Sequence, residues 1–114
     1  MLQSYFDGWY EADVEKLKMA FHDSCLLSCV IDGKLDQDPM PKVYDSVANR
    51  QSPASRGEAR HDRILSIQQS SPEIALAVVQ LSIGAKLFTD YLSLVKLDGR
   101  WKIVSKVFSF SKLP

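Results

Sequence analysis

The chain has 114 residues, 46% of them hydrophobic and 25% charged, with 14 basic side chains balancing 14 acidic ones. That length makes one domain, residues 1–114, able to bury a core without metals or disulfides as staples, and the composition excludes a disordered chain. Zero net charge gives no pull toward nucleic acid or an anionic membrane, and the longest uncharged apolar stretch, residues 74–85, falls short of the ~18 residues of a membrane helix.

Leu2, Tyr5, Phe6, Trp9 and Tyr10 repeat at helical spacing, interrupted by Gly8, and predict an amphipathic first helix. A second helix follows, with Asp13 as N-cap, Glu15 in its first turn, and Val14, Leu17, Met19, Ala20 and Phe21 on its buried side. Residues 25–31 read as a strand. Within it Cys25 and Cys29 would lie roughly 13 Å apart, too far for a disulfide, and are expected as buried free thiols. Asp32-Gly33 is a turn signal, with a short continuation through Leu35. The Asp38-Pro39-Met40-Pro41 run stops one element and starts a third helix, whose apolar face is Val43, Tyr44, Val47 and Ala48. Residues 50–57 are a mobile loop by composition. From Glu58 onward the chain reads as four antiparallel strands, divided at residues 70–73, Gly84-Ala85 and Asp98-Gly99. Helices grouped ahead of a meander predict an α+β domain with helices on one face of a curved sheet.

Four stretches carry a family resemblance: Tyr5-Phe6-Asp7-Gly8, Phe21-His22-Asp23-Ser24, Asp90-Tyr91-Leu92-Ser93-Leu94, and the run from Gly99 through Arg100, Trp101, Lys102, Ile103, Val104 and Ser105 to Lys106. In this order they resemble the nuclear transport factor 2-like superfamily, and most closely its “putative lumazine-binding” branch, near the SnoaL-like and ketosteroid-isomerase-like families. The resemblance covers nearly the whole chain. It implies a cone-shaped α+β barrel, in which three N-terminal helices wrap a strongly curved, mainly antiparallel sheet around an apolar cavity. Relatives use that cavity as an isomerase, cyclase or dehydratase site, as a small-molecule pocket, or as a filled core, and many pair as dimers through the outer sheet face.

Two-residue turns at Gly84-Ala85 and Asp98-Gly99 set a register. Leu81 then faces Phe88, Val79 faces Asp90, Leu94 faces Ile103, and Asp90 faces Val107. One face collects Ala75, Ala77, Val79, Leu81, Ile83, Phe88, Leu92, Leu94, Trp101, Ile103 and Val107, with Asp90 in their midst. The other mixes Gln80, Ser82, Thr89, Tyr91, Ser93 and Lys106 with Val78, Val95, Val104, Phe108 and Phe110, and is expected to bury against a second copy. Lys106 and Tyr91 are cross-strand neighbours there. A bulge would invert this parity.

Asp90 is the candidate general base, because a carboxylate in an apolar cavity has a raised pKa and can shuttle a proton. The alternative is that a Tyr hydroxyl, a backbone N–H or Arg60 simply pairs with it. His22, at the end of the second helix, can act as acid or base at the cone mouth or cap the last helical carbonyls. His61 lies in a charged stretch and reads as a solvated strand residue. Tyr5, Trp9, Tyr44 and Trp101 are candidates to touch a ligand, a Tyr hydroxyl being able to polarise a carbonyl, though a stripe at helical spacing is also plain core packing. No metal spacing, phosphate loop or dinucleotide fingerprint is present, so neither metal nor cofactor is expected. Three functions remain open: a dimeric, cytoplasmic binder of a small apolar or aromatic ligand; an enzyme using Asp90 as base on a carbonyl-bearing ring compound; and an assembly domain with a filled core.

Overall fold

Apolar spacing, caps and turns generate the elements in the expected order, and a computed structural model describes all of residues 1–114. Helix α1 (Leu2–Glu11) buries Tyr5, Phe6, Gly8 and Trp9, and ends at Ala12, whose left-handed backbone (φ 52°) turns the chain into the next helix. Helix α2 (Val14–Ala20) starts at Asp13, whose carboxylate accepts the Lys16 N–H at 3.2 Å. It buries Leu17 and Ala20, and Phe21 follows them inward. Met19 does not join them: it sits about 200° round the helix from Leu17 and is 62% exposed.

Strands β1 (Leu26–Ile31) and β2 (Lys34–Pro39) form a hairpin around Asp32 and Gly33, both at positive φ, the geometry that matches strand twist. The second strand runs well past Leu35. Its residues are mostly polar and exposed, so the ladder to β1 holds it at the sheet edge with little help from apolar burial. Helix α3 (Met40–Ala48) follows, with Pro41 in its first turn and Met40, Val43 and Val47 buried. The loop after it carries one 3-10 turn (Ala54–Arg56), pinned by buried Pro53, whose carbonyl accepts the Arg56 and Glu58 N–H groups.

Strand β3 (Arg63–Ser71) begins later than its composition suggested, because the residues before it are engaged with α1. The Tyr10 hydroxyl donates to the Glu58 carbonyl at 2.7 Å, and Arg60 pairs with Asp7 at 2.9 Å and Asp62 at 2.6 Å. His61 therefore lies outside the strand, exposed, with Nδ1 2.8 Å from the Ser82 hydroxyl. Strands β4 (Ile74–Ile83), β5 (Lys86–Leu97) and β6 (Arg100–Lys112) complete a sheet of order β2-β1-β6-β5-β4-β3, antiparallel except where β1 meets β6. Cys25 and Cys29 are free and buried. No helix is long and apolar enough to cross a membrane.

The β4–β5 register is the expected one, with Leu81 opposite Phe88 and Val79 opposite Asp90. The β5–β6 register starts as expected, with Leu97 opposite Arg100 and Leu94 opposite Ile103, and then slips. Ser93 faces Ser105, so Val104 is the extra residue of a bulge, and every later β6 side chain changes face. Lys106 is consequently 4% exposed on the concave side with Phe108, whereas Val107, expected inside, is 51% exposed on the convex side. Tyr91 has Val107, not Lys106, as its cross-strand neighbour.

Candidate functional site

The α1 stripe, the β5 alternation and the β6 bulge bring Tyr5, Asp90 and Lys106 into one buried polar cluster. Asp90 is fully buried. Its Oδ2 accepts the Tyr5 hydroxyl at 2.5 Å and lies 3.4 Å from Lys106 Nζ, while Oδ1 has no hydrogen-bond partner. The Lys106 ammonium has aromatic faces on its other sides: its Nζ is 4.6 Å from the ring centre of Trp9, 4.9 Å from Phe108 and 5.4 Å from Tyr5. Such faces stabilise a cation where water is absent. Burial nonetheless pushes the Lys106 pKa below the ordinary lysine value, against the opposing pull of Asp90. Burial first, and then the Asp90 charge, push the Tyr5 hydroxyl well above its usual value. The Trp9 indole N–H makes no hydrogen bond of proper geometry, yet its proximity partly offsets that rise.

Lys106 also forms part of the wall of a cavity of about 230 Å³ between α3 and the sheet. Trp9, Leu27, Val43, Leu81, Phe88 and Phe108 supply much of its apolar lining. Its polar groups are mainly cationic. Lys42 is paired with Asp38 at 3.0 Å, but Arg50 has no carboxylate partner, donating instead to Ser46 Oγ at 2.9 Å and resting over the Trp9 ring at 5.9 Å. Apolar walls with one cation that has no carboxylate partner, Arg50, and a second, Lys106, paired on its Asp90 side suit a small, partly apolar molecule with an electron-rich oxygen at each end.

A family model described as “Putative lumazine-binding” matches residues 1–109. The chain belongs to this family. Its fold is that of the nuclear transport factor 2-like superfamily. A nuclear transport factor 2-like protein of unknown function from Shewanella baltica is 27% identical, with 96% of this chain and 87% of that chain covered and a TM-score of 0.85. A second such protein, from Methylobacillus flagellatus, is also 27% identical, with 96% and 86% covered and a TM-score of 0.79. Among characterised proteins, the aldolase FrzH of a Cladobotryum species is 25% identical over 104 residues, 91% of this chain and 81% of that protein.

Within this nuclear transport factor 2-like frame the predicted site residues separate. Asp90, Tyr5 and Trp9 come together. Asp90 points inward, but it does not line the cavity; its ion-pair partner Lys106 does, so a ligand there meets the lysine side chain and not the carboxylate. Asp90 pairs with a Tyr hydroxyl, one of the alternatives open from sequence, and with Lys106, which was not among them, while Arg60 is occupied with Asp7 and Asp62. His22 is drawn elsewhere. Its backbone N–H bonds to the Ile103 carbonyl, and its Nδ1 accepts the Ser24 N–H at 3.1 Å, so the ring closes the turn after α2, outside the cavity wall. Tyr44 is half-buried with its hydroxyl unpaired, pushed up to about 12 by burial, and lies under Lys18 Nζ at 5.5 Å. Trp101 borders a separate shallow groove with Met1, Leu2, Ile67 and Leu94. Neither residue lines the cavity of Lys106. Sequence reasoning missed Lys106 and Arg50, the first because of the bulge and the second because it lies in a loop.

Proposed function

We propose that the domain binds a small carbonyl compound carrying an acidic group and activates the carbon next to its carbonyl. The observation that carries this reading is Lys106, a buried amine in a cavity wall whose ion-pair partner is Asp90. A cation held there without water polarises a carbonyl oxygen and stabilises the charge that develops as the neighbouring carbon loses a proton. Arg50, unpaired at the same wall, suits the acidic group at the far end of the molecule. A cavity of ~150 Å³ admits benzene, so about 230 Å³ favours a one-ring oxo acid over a flavin or steroid. The aldolase name of the Cladobotryum relative is in keeping with chemistry beside a carbonyl.

The test is hydrogen–deuterium exchange at the carbon beside the carbonyl of pyruvate, 2-oxobutyrate and phenylpyruvate, followed by NMR in D2O alongside thermal shift. Wild type is expected to accelerate exchange of at least one probe, and Lys106→Met to lower that rate about 10²-fold or more, the usual yield of a positioned acid–base group. Thermal stabilisation without exchange would leave a binding protein and remove the enzyme. Neither effect with any probe would remove both.

The convex sheet face is proposed to pair with a second copy of the chain. Val78, Tyr91 and Val107 lie in one row across β4, β5 and β6, so the slip that takes Lys106 inside makes this face more apolar at its centre. Tyr91 is 52% exposed there. Light scattering is expected to give about twice the 12.8 kDa of the chain, and Tyr91→Lys to return it to monomer. A wild-type monomer at high micromolar concentration would defeat the pairing.

A further inference from the structure

We propose that Lys106 activates its substrate covalently, condensing with the carbonyl to form an iminium, with Asp90 as the base that then takes the proton from the adjacent carbon. This rests on the carbonyl-activating reading above and goes beyond it in bonding. Its support is an arrangement that non-covalent binding leaves unexplained. Asp90 keeps one carboxylate oxygen, Oδ1, buried without a partner, yet the residue does not line the cavity and a ligand there meets Lys106 first. A bond to Lys106 removes that barrier. An iminium C=N is about 1.3 Å and the next C–C about 1.5 Å, which carries the adjacent carbon to within about 2.5 Å of Nζ. Nζ is itself 3.4 Å from the Asp90 carboxylate. Attachment thus tethers the reacting carbon within about 6 Å of the Asp90 carboxylate, and turning it to the Asp90 side of Nζ brings it to the one buried carboxylate able to deprotonate it.

The surroundings suit both ends of that step. The ammonium and the iminium carry the same single positive charge, so Asp90 and the faces of Trp9, Phe108 and Tyr5 stabilise the adduct as they stabilise the free lysine. Burial holds the Lys106 pKa down, which raises the fraction of neutral amine available for attack. In the step itself the ammonium gives up a proton, and the amine lone pair forms a bond to the carbonyl carbon. The carbonyl oxygen gathers two protons and leaves as water, and the nitrogen keeps the positive charge. The Asp90 carboxylate then takes a proton from the adjacent carbon, whose C–H electrons become the C=C bond of an enamine. Reprotonation and hydrolysis reverse the sequence, and nothing is oxidised or reduced. Arg50, placed to hold an acidic group on the cavity wall, makes 2-oxo acids the class of substrate.

Sodium borohydride reduces an iminium to a stable amine, so trapping reads the bond directly. Wild-type protein is treated with phenylpyruvate or pyruvate and borohydride, weighed intact, and then mapped by peptide mass. The expected result is one reduced probe per chain on Lys106, at least tenfold above any exposed lysine, and none in Lys106→Arg. Arg50→Met is expected to lower trapping of pyruvate severalfold more than trapping of acetone, which has no acidic group. The assignment comes from the wild-type peptide map and so does not depend on either variant folding. Absence of an adduct, or label spread evenly over exposed lysines, would overturn the proposal. If exchange and thermal shift persist with the same probe while no adduct forms, only the covalent step is lost. If those also fail, the carbonyl-activating reading falls with it.

Discussion

Lys106→Met is expected to destabilise the fold by about 3–5 kcal/mol, the usual cost of removing one partner from a buried ion pair. For a chain of this size that is a fall in Tm of roughly 10–20 °C. The cost comes from what remains. Asp90 would stay fully buried with Tyr5 as its hydrogen-bond donor and Oδ1 still unpaired. Asp90→Asn should cost less, since the lysine left behind keeps three aromatic faces and can shed its charge. The double variant Lys106→Met with Asp90→Asn removes both charges and should recover at least about 2 kcal/mol relative to the sum of the single losses. Urea denaturation of the four proteins measures this. Additive losses would mean that the two groups do not interact, and would remove the cluster from both the fold and the site.

That cycle also bears on why the cluster exists. A buried ion pair is seldom the most stable way to fill a core; well-packed apolar residues of similar volume often do as well or better. Here the pair sits where Phe21, Leu92, Ile103 and Val79 otherwise make a dry interior. One carboxylate oxygen is left unsatisfied, and the lysine faces a cavity. Stability does not account for such a choice. A core serving only assembly would be expected to fill the space with apolar side chains.

The strand faces were legible in sequence up to one residue. Alternation along β4 and β5 placed Asp90 among Val79, Leu81, Phe88 and Leu92, and the structure places it there. In β6 the apolar pattern itself carries the change of parity. Trp101 and Ile103 are apolar at odd positions, Phe108 and Phe110 at even ones, and a strand can hold both sets on one face only through a bulge between them. That reading would have put Lys106 beside Asp90. Other misses had no such signal. Strand β2 is almost wholly polar, so it depends on hairpin pairing and shows no alternation to detect. His22 lies at a helix end, where the Ser24 side chain and N–H compete for the ring, and a sequence pattern does not rank such local bonds.

Gly8 offers the second large effect. In sequence it only interrupts an amphipathic stripe; in the fold it is where α1 and α2 touch. A Cβ built on Gly8 would lie 2.6 Å from Leu17 Cδ2, 2.8 Å from Leu17 Cγ and 3.1 Å from the Leu17 backbone nitrogen. The end of the leucine could swing away, but its Cγ and backbone cannot move without shifting α2, and Leu17 is fully buried. Gly8→Ala is therefore expected to destabilise by about 1–3 kcal/mol, even though alanine is the better helix former by up to ~1 kcal/mol. Leu17→Ala alone should cost about 2–5 kcal/mol through the cavity it leaves. With both substitutions the new methyl group enters the space the leucine vacated, so the double variant should be clearly more stable than the two losses combined. Because Tyr5 and Trp9 flank Gly8 on the same helix, separating α1 from α2 also moves the Tyr5 hydroxyl away from Asp90. Gly8→Ala should then lower proton exchange on the oxo-acid probes more than its loss of folded protein explains, and Leu17→Ala should restore part of it. If Gly8→Ala proved as stable as wild type, the close approach of the two helices would be refuted, and with it this link between helix packing and the site.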